Sequence, residues 1–314
     1  MNAFYTVLTA VLPVFGIMLA GTLMRKWNWL TEEADQSMLR VTINLLAPAL
    51  IFDSIIKNEA LKQPQNLIWP PLIGFGAVAL GMAAGWYFGK LIGFRERKHL
   101  STLAICIGIF NWGYIPVPLV TTLFDRETLG VLFVHNVGVE ISFWTIGIAL
   151  LGGAGGKGWK QFFSPPVLAI LVAVPLNFLN AHQWLPEFVL ITARMLGLCA
   201  VPMGIILVGA MIADHLHEFH SAHGWRTILA SCFLRLAVMP VLFLLLAKFL
   251  PISLELKRIM VIQAAMPSAT FCVILARHYG GDASMAVRAV ISTSVVSLVT
   301  IPLWIRLGMQ FVGL

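Results

Sequence analysis

The sequence has few charged residues: only 11% of its 314 residues are Asp, Glu, Lys or Arg, against about 25% in a soluble domain. Hydrophobic residues make up 59%. This composition excludes a soluble globular domain and predicts an integral membrane protein. The chain also lacks the period-two alternation of an outer-membrane barrel, so we expect its spans to be α-helices and its fold class to be all-α.

Cysteine is scarce and unpaired, because the four cysteines lie singly in apolar runs: Cys106, Cys199, Cys232 and Cys272. This spacing predicts buried, reduced thiols and neither a disulfide framework nor a zinc site. No nucleotide-binding loop, paired-aspartate pattern or nucleophile–base constellation is present, so we expect no enzyme, cofactor or metal. A net charge of +7 without a basic run predicts contact with the lipid bilayer and not with nucleic acid.

Long apolar runs dominate the sequence. A helix needs about 20 apolar residues to span a membrane, and the N-terminus lacks the features of a signal peptide. The predicted segments are 4–24, 39–57, 67–91, 100–124, 128–151, 165–181, 187–213, 225–250, 257–279 and 283–311. When the N-terminus is placed outside, more Lys and Arg residues fall on the cytoplasmic side than on the outer side. We therefore predict an inner (cytoplasmic) membrane protein with both termini outside.

Ten segments divide into two sets of five at the glycine-rich loop 152–158. An odd number in each half makes the second half enter the membrane from the opposite side, which predicts an inverted repeat. The first repeat covers residues 1–151, a cytoplasmic linker covers 152–164, and the second repeat covers 165–314. Equivalent segments share features: the second and seventh carry mid-span prolines, and the fourth and ninth are interrupted.

The interruptions read NWGYIPVPLV at 111–120 and QAAMPSATF at 263–271. Because proline breaks a helix interior and is favoured at its first position, we expect Pro118 and Pro267 to open second half-helices. Their positive N-terminal ends, with unpaired N–H groups, would face each other near the bilayer midplane and bind an anion such as an organic carboxylate. The alternative is ordinary proline kinks satisfied by neighbouring helices.

The breaks also place polar groups at this depth. The predicted substrate-binding residues there are Asn111, Tyr114, Pro116, Pro118, Gln263, Pro267, Ser268 and Thr270. His135 and Asn136 of the fifth segment are predicted to join them. Glu140 is predicted either to carry a coupling proton, to pair with Arg235 of the eighth segment, or to be structural. Asn44, together with the carbonyl groups that the breaks free, is a candidate ligand of a sodium ion.

Loop 214–225 holds half of the chain's histidines. Their spacing matches no zinc signature, so we predict a short cytoplasmic connection there and no metal site. Arg194, early in the seventh segment, is predicted to extend its charged end to the outer interface.

Five stretches, in order along the chain, resemble the auxin efflux carrier family, which includes plant PIN-type carriers and bacterial relatives described as malonate or malate transporters. They are LPVFGIMLAGTLMRKWNWLTEE, NLLAPALIF, NWGYIPVPL, MPSATFCVILARHYGGD and ISTSVVSLVTIPLW. The resemblance assigns the family's crossover roles to Asn111, Pro118 and Pro267, with the substrate carboxylate beside them. Pro116 stands where the family usually places glycine, so the substrate is not carried over.

The same resemblance implies a homodimeric elevator-type carrier with broken, crossing fourth and ninth helices, as in sodium/proton antiporters and bile acid symporters. Segments 1, 2, 6 and 7 would form a scaffold, and segments 3–5 and 8–10 a moving transport domain. We therefore predict a secondary transporter of a small organic anion, coupled to a proton, to sodium or to neither. A sodium-coupled carrier like the bile acid symporters, a channel and a membrane sensor stay open as alternatives.

Overall fold

The computed structural model describes residues 3–152, 163–215 and 224–314, and its regular elements there are all helical. Most of the predicted linker (153–162) and of the histidine-rich loop (216–223) lies outside the described residues. The first half contains α1 (Ala3–Lys26), α2 (Glu32–Val41), α3 (Ala47–Ile55), α4 (Gln65–Leu91), α5 (Arg97–Gly108), α6 (Pro116–Leu123), α7 (Arg126–Ser142) and α8 (Ile148–Leu151).

The second half contains α9 (Pro165–Phe178), α10 (Glu187–His215), α11 (Trp225–Phe233), α12 (Met239–Phe249), α13 (Leu254–Ala264), α14 (Phe271–His278) and α15 (Ala283–Val312). Single π-helical turns join three helix pairs: Thr42–Leu46 joins α2 to α3, Phe143–Gly147 joins α7 to α8, and Leu234–Val238 joins α11 to α12. Proline follows two of these turns, as Pro48 and Pro240. Because proline cannot donate a backbone hydrogen bond, a local change of helix geometry there costs little.

Seven stretches within the described ranges are long and apolar enough to cross a membrane: α1, α2–α3, α4, α7–α8, α10, α11–α12 and α15. The all-helical membrane class is therefore confirmed. Of the other three predicted segments, the sixth is the 14-residue apolar helix α9. The fourth and ninth are each divided into two short helices, α5 with α6 and α13 with α14.

The helices form two packing groups, and helices of both groups line the site. In one group, α10 packs along α1 and against α3, and α3 packs against α9. In the other, α4 packs against α5 and α7, while α11, α13 and α14 pack on α15. Glycine allows the closest approaches: a Cβ at Gly209 of α10 would lie 2.0 Å from the Met18 carbonyl oxygen of α1.

The cysteines are all free thiols, as predicted. Cys106 and Cys272 are buried, but Cys199 is exposed and Cys232 is half-buried. The prediction that all four are buried was therefore wrong for these two. Apolar surroundings in the sequence do not separate the lipid-facing side of a spanning helix from its protein-facing side, because lipid tails are as apolar as the helix interior.

Replacing Gly138 with alanine is expected to destabilise the packing of α7 on α4. A Cβ at this position would lie 1.8 Å from the Pro71 carbonyl oxygen, which belongs to the helix backbone and cannot move aside. Overpacking of this kind costs about 1–3 kcal/mol. Thermal melting of the purified protein in detergent should show a lower midpoint for G138A. Gly76→Ala is the matched control in α4, because nothing lies within 4 Å of a Cβ there; equal midpoints would contradict the prediction.

Candidate functional site

The two interrupted helices cross at their breaks. Two backbone hydrogen bonds join them, from Asn111 N–H to the Pro267 carbonyl and from Ala269 N–H to the Ile109 carbonyl, each 2.9 Å long. These bonds form an isolated antiparallel β-bridge between segments about 160 residues apart. The bridge satisfies four of the backbone groups that the broken helices leave unpaired, so the breaks are extended crossing segments and not simple kinks.

The half-helices begin at other residues than the sequence predicted. Helix α6 begins at Pro116, two residues before Pro118, and the Asn111 side-chain oxygen accepts the Ile115 N–H there at 3.3 Å. Helix α14 begins at Phe271, so Pro267 lies in the extended bridge. Both predicted starts were wrong. Pro118 lies within the first turn of α6, which Pro116 begins, and Pro267 is extended because the dihedral angle that proline imposes suits an extended segment as well as a first helical turn.

The Trp112 carbonyl, four residues before Pro116, which has no N–H to donate, accepts two side-chain amides instead of a backbone N–H. Asn136 Nδ2 donates to it from α7 at 3.0 Å, and Gln263 Nε2 donates from α13 at 3.3 Å. One carbonyl thus links three elements around the crossing. Asn136 and Gln263 stabilise the break from both sides.

A cavity of about 550 Å³ lies beside the crossing. Its walls come from both breaks, from α7, from the start of α9 and from α3 and α10. The polar lining residues are Asn111, Tyr114, Asn136, Glu140, Ser164 and Thr270. Most of the remaining surface is apolar, and it includes a cluster of four aromatic side chains whose neighbouring ring centroids are 5.0–6.1 Å apart: Trp112, Phe143, Trp144 and Phe271.

Unpaired backbone donors border this cavity. Among the described residues, no hydrogen-bond partner is found for the N–H groups of Gly113 and Tyr114, just before α6, or of Thr270 and Phe271, at the start of α14. All four residues line the cavity. Two helix N-termini, each with partial positive charge, therefore meet one chamber.

Several predicted site residues do not line the cavity. Its lining does not include Pro116, Pro118, His135, Gln263, Pro267, Ser268 or Asn44. His135 is 1% exposed, and its Nδ1 lies 3.3 Å from Asn136 Oδ1. Asn44 is exposed within the π-helical turn after α2.

Ser268 is also buried within the crossing, away from the cavity. Its hydroxyl donates to the Cys106 carbonyl at 2.6 Å, and its N–H donates to Thr293 Oγ1 at 3.2 Å. Through these two bonds Ser268 ties the ninth-segment break to α5 and α15. The geometry is that of a residue that holds the crossing together.

Glu140 and Arg235 do not pair, so that predicted alternative was wrong. Glu140 lines the cavity and accepts a hydrogen bond from Ser164 Oγ at 3.2 Å. Arg235 is fully buried and donates to the carbonyls of Met266 at 2.7 Å and Gln263 at 2.8 Å. The sequence signal that marks Arg235 is a charged residue at membrane depth.

Within the described residues, no group of three or more His, Cys, Asp or Glu side chains is placed to hold a metal ion. The groups that line the site include amide donors, helix ends and aromatic side chains. These groups suit binding and positioning.

The family model described as membrane transport protein matches residues 6–158 and 156–305. The chain is 25% identical over 298 residues to an uncharacterized transporter of Methanothermobacter thermautotrophicus, covering 94% of this chain and 96% of that one. It is 24% identical over 301 residues to the uncharacterized transporter MJ1031 of Methanocaldococcus jannaschii, with the same coverage. It is 25% identical over 325 residues to the uncharacterized transporter YfdV of Escherichia coli, covering 94% and 95%. The resemblance to the auxin efflux carriers is thereby confirmed, and the chain is a multi-pass membrane transporter that belongs to the membrane transport protein family.

Proposed function

We propose that this chain is a secondary transporter, and not an enzyme, whose substrate is a small organic anion, a mono- or dicarboxylate. The observation that carries the proposal is the chamber beside the crossing. It is bordered, at the starts of two half-helices, by Gly113, Tyr114, Thr270 and Phe271, whose N–H groups have no hydrogen-bond partner among the described residues. Helix N-termini bind carboxylates and phosphates through their N–H groups and the helix dipole. A volume of about 550 Å³ is in the range of small-molecule sites.

The walls of the chamber favour an organic anion over an inorganic one. Trp112, Phe143, Trp144 and Phe271 cluster around it, and their rings offer apolar and edge surface to a hydrocarbon body. Burying apolar surface is favourable by about 25 cal/mol per Å². A carboxylate head on the N–H groups with its carbon body on the aromatic cluster would use both kinds of surface.

The proposed architecture is ten spans in two inverted repeats joined by residues 152–164, in the inner membrane with both termini outside. We also propose a homodimer and alternating access by an elevator-type movement, and two features support the movement. The crossing breaks fall in the fourth segment of each half. The cavity lies between the two packing groups, with α3 and α10 on one side and α7 and both breaks on the other.

The test is substrate binding and uptake by the purified protein in proteoliposomes. Labelled acetate, benzoate, malonate and succinate would be offered with sodium and with choline as the cation, and protein-free vesicles would be the control. We expect at least one carboxylate to show saturable uptake. Uptake that does not saturate would indicate a channel, binding without uptake a sensor, and an absolute sodium requirement the bile-acid-symporter-like alternative. If none of the four carboxylates binds, the proposal is contradicted.

Replacing Glu140 with glutamine is expected to flatten the pH dependence of uptake, because Glu140 is the carboxyl group that lines the cavity. Glutamine can still accept the hydrogen bond from Ser164 Oγ but cannot bind or release a proton. Uptake would be measured across a pH series in proteoliposomes. Glu187→Gln is the matched control, since this carboxylate is exposed at the start of α10. A pH profile of E140Q that equals the wild-type profile would exclude the coupling role.

A further inference from the structure

Arg235 is a buried cation behind the crossing that the transport model above does not use. It lies in the π-helical turn between α11 and α12 and has no exposed surface. Its guanidinium carbon is 4.7 Å from the ring centroid of Phe110 and 5.4 Å from that of Phe243. The Phe110 ring belongs to the fourth-segment break, so Arg235 touches both crossing segments.

Among the described residues, no carboxylate forms an ion pair with this charge. Arg235 takes part in none of the ion pairs between described residues, and its Nη1 is buried without a hydrogen-bond partner among them. Arginine stays protonated in proteins. A charge at this depth is costly unless it is paired and hydrogen-bonded, so an arginine held there is a candidate functional residue. Within the part of the chain that the structure describes, a net positive charge therefore lies behind the crossing, where carbonyl dipoles and aromatic faces compensate it.

The carbonyls that Arg235 binds are those that a coupling cation would need. Those of Gln263 and Met266 end α13 at the ninth-segment break, where the helix presents its negative pole. Exposed carbonyls at such half-helix ends are the usual ligands of sodium in carriers with broken helices. At the other break the Trp112 carbonyl is already occupied by two amides.

A short path connects Arg235 to the cavity. Its guanidinium binds the Gln263 carbonyl, and the Gln263 side chain donates to the Trp112 carbonyl at 3.3 Å. Trp112 itself lines the cavity. Removing Arg235 would therefore change both the local potential and the anchoring of the residue next to the unpaired N–H groups.

We propose that Arg235 is a built-in cation that takes the place of a coupling sodium ion at the ninth-segment break and contributes the positive potential that holds the anionic substrate. The inference rests on the proposed function, since it presupposes an anion in the cavity. It makes Arg235 a positioning and charge-supplying residue that does not itself touch the substrate. It also assigns the carrier to the sodium-independent kind.

The experiment measures the Kd of purified protein for acetate, benzoate, malonate and succinate, in sodium chloride and in choline chloride. Wild-type Kd should agree within about twofold between the two salts. Arg235→Met, which keeps an unbranched stem but removes the charge, should weaken binding by roughly tenfold or more in both salts. Arg235→Lys should retain most of the affinity because it keeps the charge. Arg194→Met is the matched control, since it removes an exposed arginine from α10 and should leave Kd unchanged.

Three results would overturn the inference: sodium-dependent binding by the wild type, wild-type affinity in folded R235M, or loss of binding in folded R235K. Size-exclusion profiles and melting curves establish folding. If R235M does not fold, the sodium comparison on the wild type and the R235K variant still decide. Failure of the proposed function is distinguishable, because the wild type would then bind none of the four carboxylates in either salt, and the inference would fall with it.

Discussion

Valine at position 204 is expected to abolish uptake and to weaken anion binding by tenfold or more. Gly204 of α10 lies against the Tyr114 ring, and a Cβ there would come within 1.9 Å of that ring. Both residues line the cavity, so the ring must move into the space that the substrate needs. Overpacking costs of about 1–3 kcal/mol correspond to a change of roughly 5- to 150-fold in Kd.

The measurement is binding and uptake of the panel carboxylates by G204V. Because the cavity offers room for the displaced ring, we expect the variant to stay folded, which its melting curve would show. Gly16→Val is the matched control: this glycine of α1 has nothing within 4 Å of a Cβ. Normal uptake by folded G204V would show that the space between α10 and the fourth-segment break is not the substrate's place.

Removing the Asn111 side chain should weaken anion binding by about tenfold and also lower the melting temperature. In Asn111→Ala the Ile115 N–H loses its acceptor at the buried start of α6, at a cost of about 1–3 kcal/mol. The backbone bond from Asn111 to Pro267 can persist, so the crossing should survive in a looser form. Because the segment that leads into α6 borders the cavity, disorder at the start of α6 would weaken its contacts with the bound anion.

Calorimetric titration of purified N111A, together with its thermal melt, checks both effects. Gln310→Ala is the matched control, because it removes an exposed amide near the end of α15. An unchanged Kd in N111A, alongside a lowered melting temperature, would assign Asn111 to stability alone and separate it from substrate binding.

Local chemistry explains the parts of the fold that sequence reasoning predicted correctly. The apolar runs predict helices because a membrane leaves no other way to pair the backbone over that length. The interruptions at 111–120 and 263–271 were recognisable because proline and glycine act on their own helix, without help from the rest of the chain. Those breaks separate α5 from α6 and α13 from α14.

The exact helix starts were not predictable in the same way. Pro116 and Pro118 both fit a first helical turn, and the choice of Pro116 depends on Asn111, whose side chain accepts the Ile115 N–H. Pro267 is extended because its carbonyl accepts a bond from the other break, more than 150 residues away. Local preference leaves such cases open, and long-range pairing decides them.

Helical periodicity alone could not predict which polar residues face the cavity. Asn136 lines the cavity and His135, its neighbour, does not, because adjacent residues of α7 point in directions about 100° apart and α4 packs over the His135 backbone. Glu140 contacts Ser164 and not Arg235, because its side-chain direction likewise depends on its position around α7. Arg235 faces the carbonyl ends of α13, a position that only the packing of α11–α12 against α13 creates.

Composition and proline placement by themselves determined that this chain is a helical membrane protein with interrupted fourth and ninth segments, since both act through solvent and through the local backbone. Tertiary structure alone decided that the interruptions cross, that side-chain amides and one guanidinium occupy their freed carbonyls, and that their N–H groups stay open to a cavity. The physical reason is that a hydrogen bond made across the fold depends on which partner arrives there, and no local pattern specifies a partner that is distant in the chain.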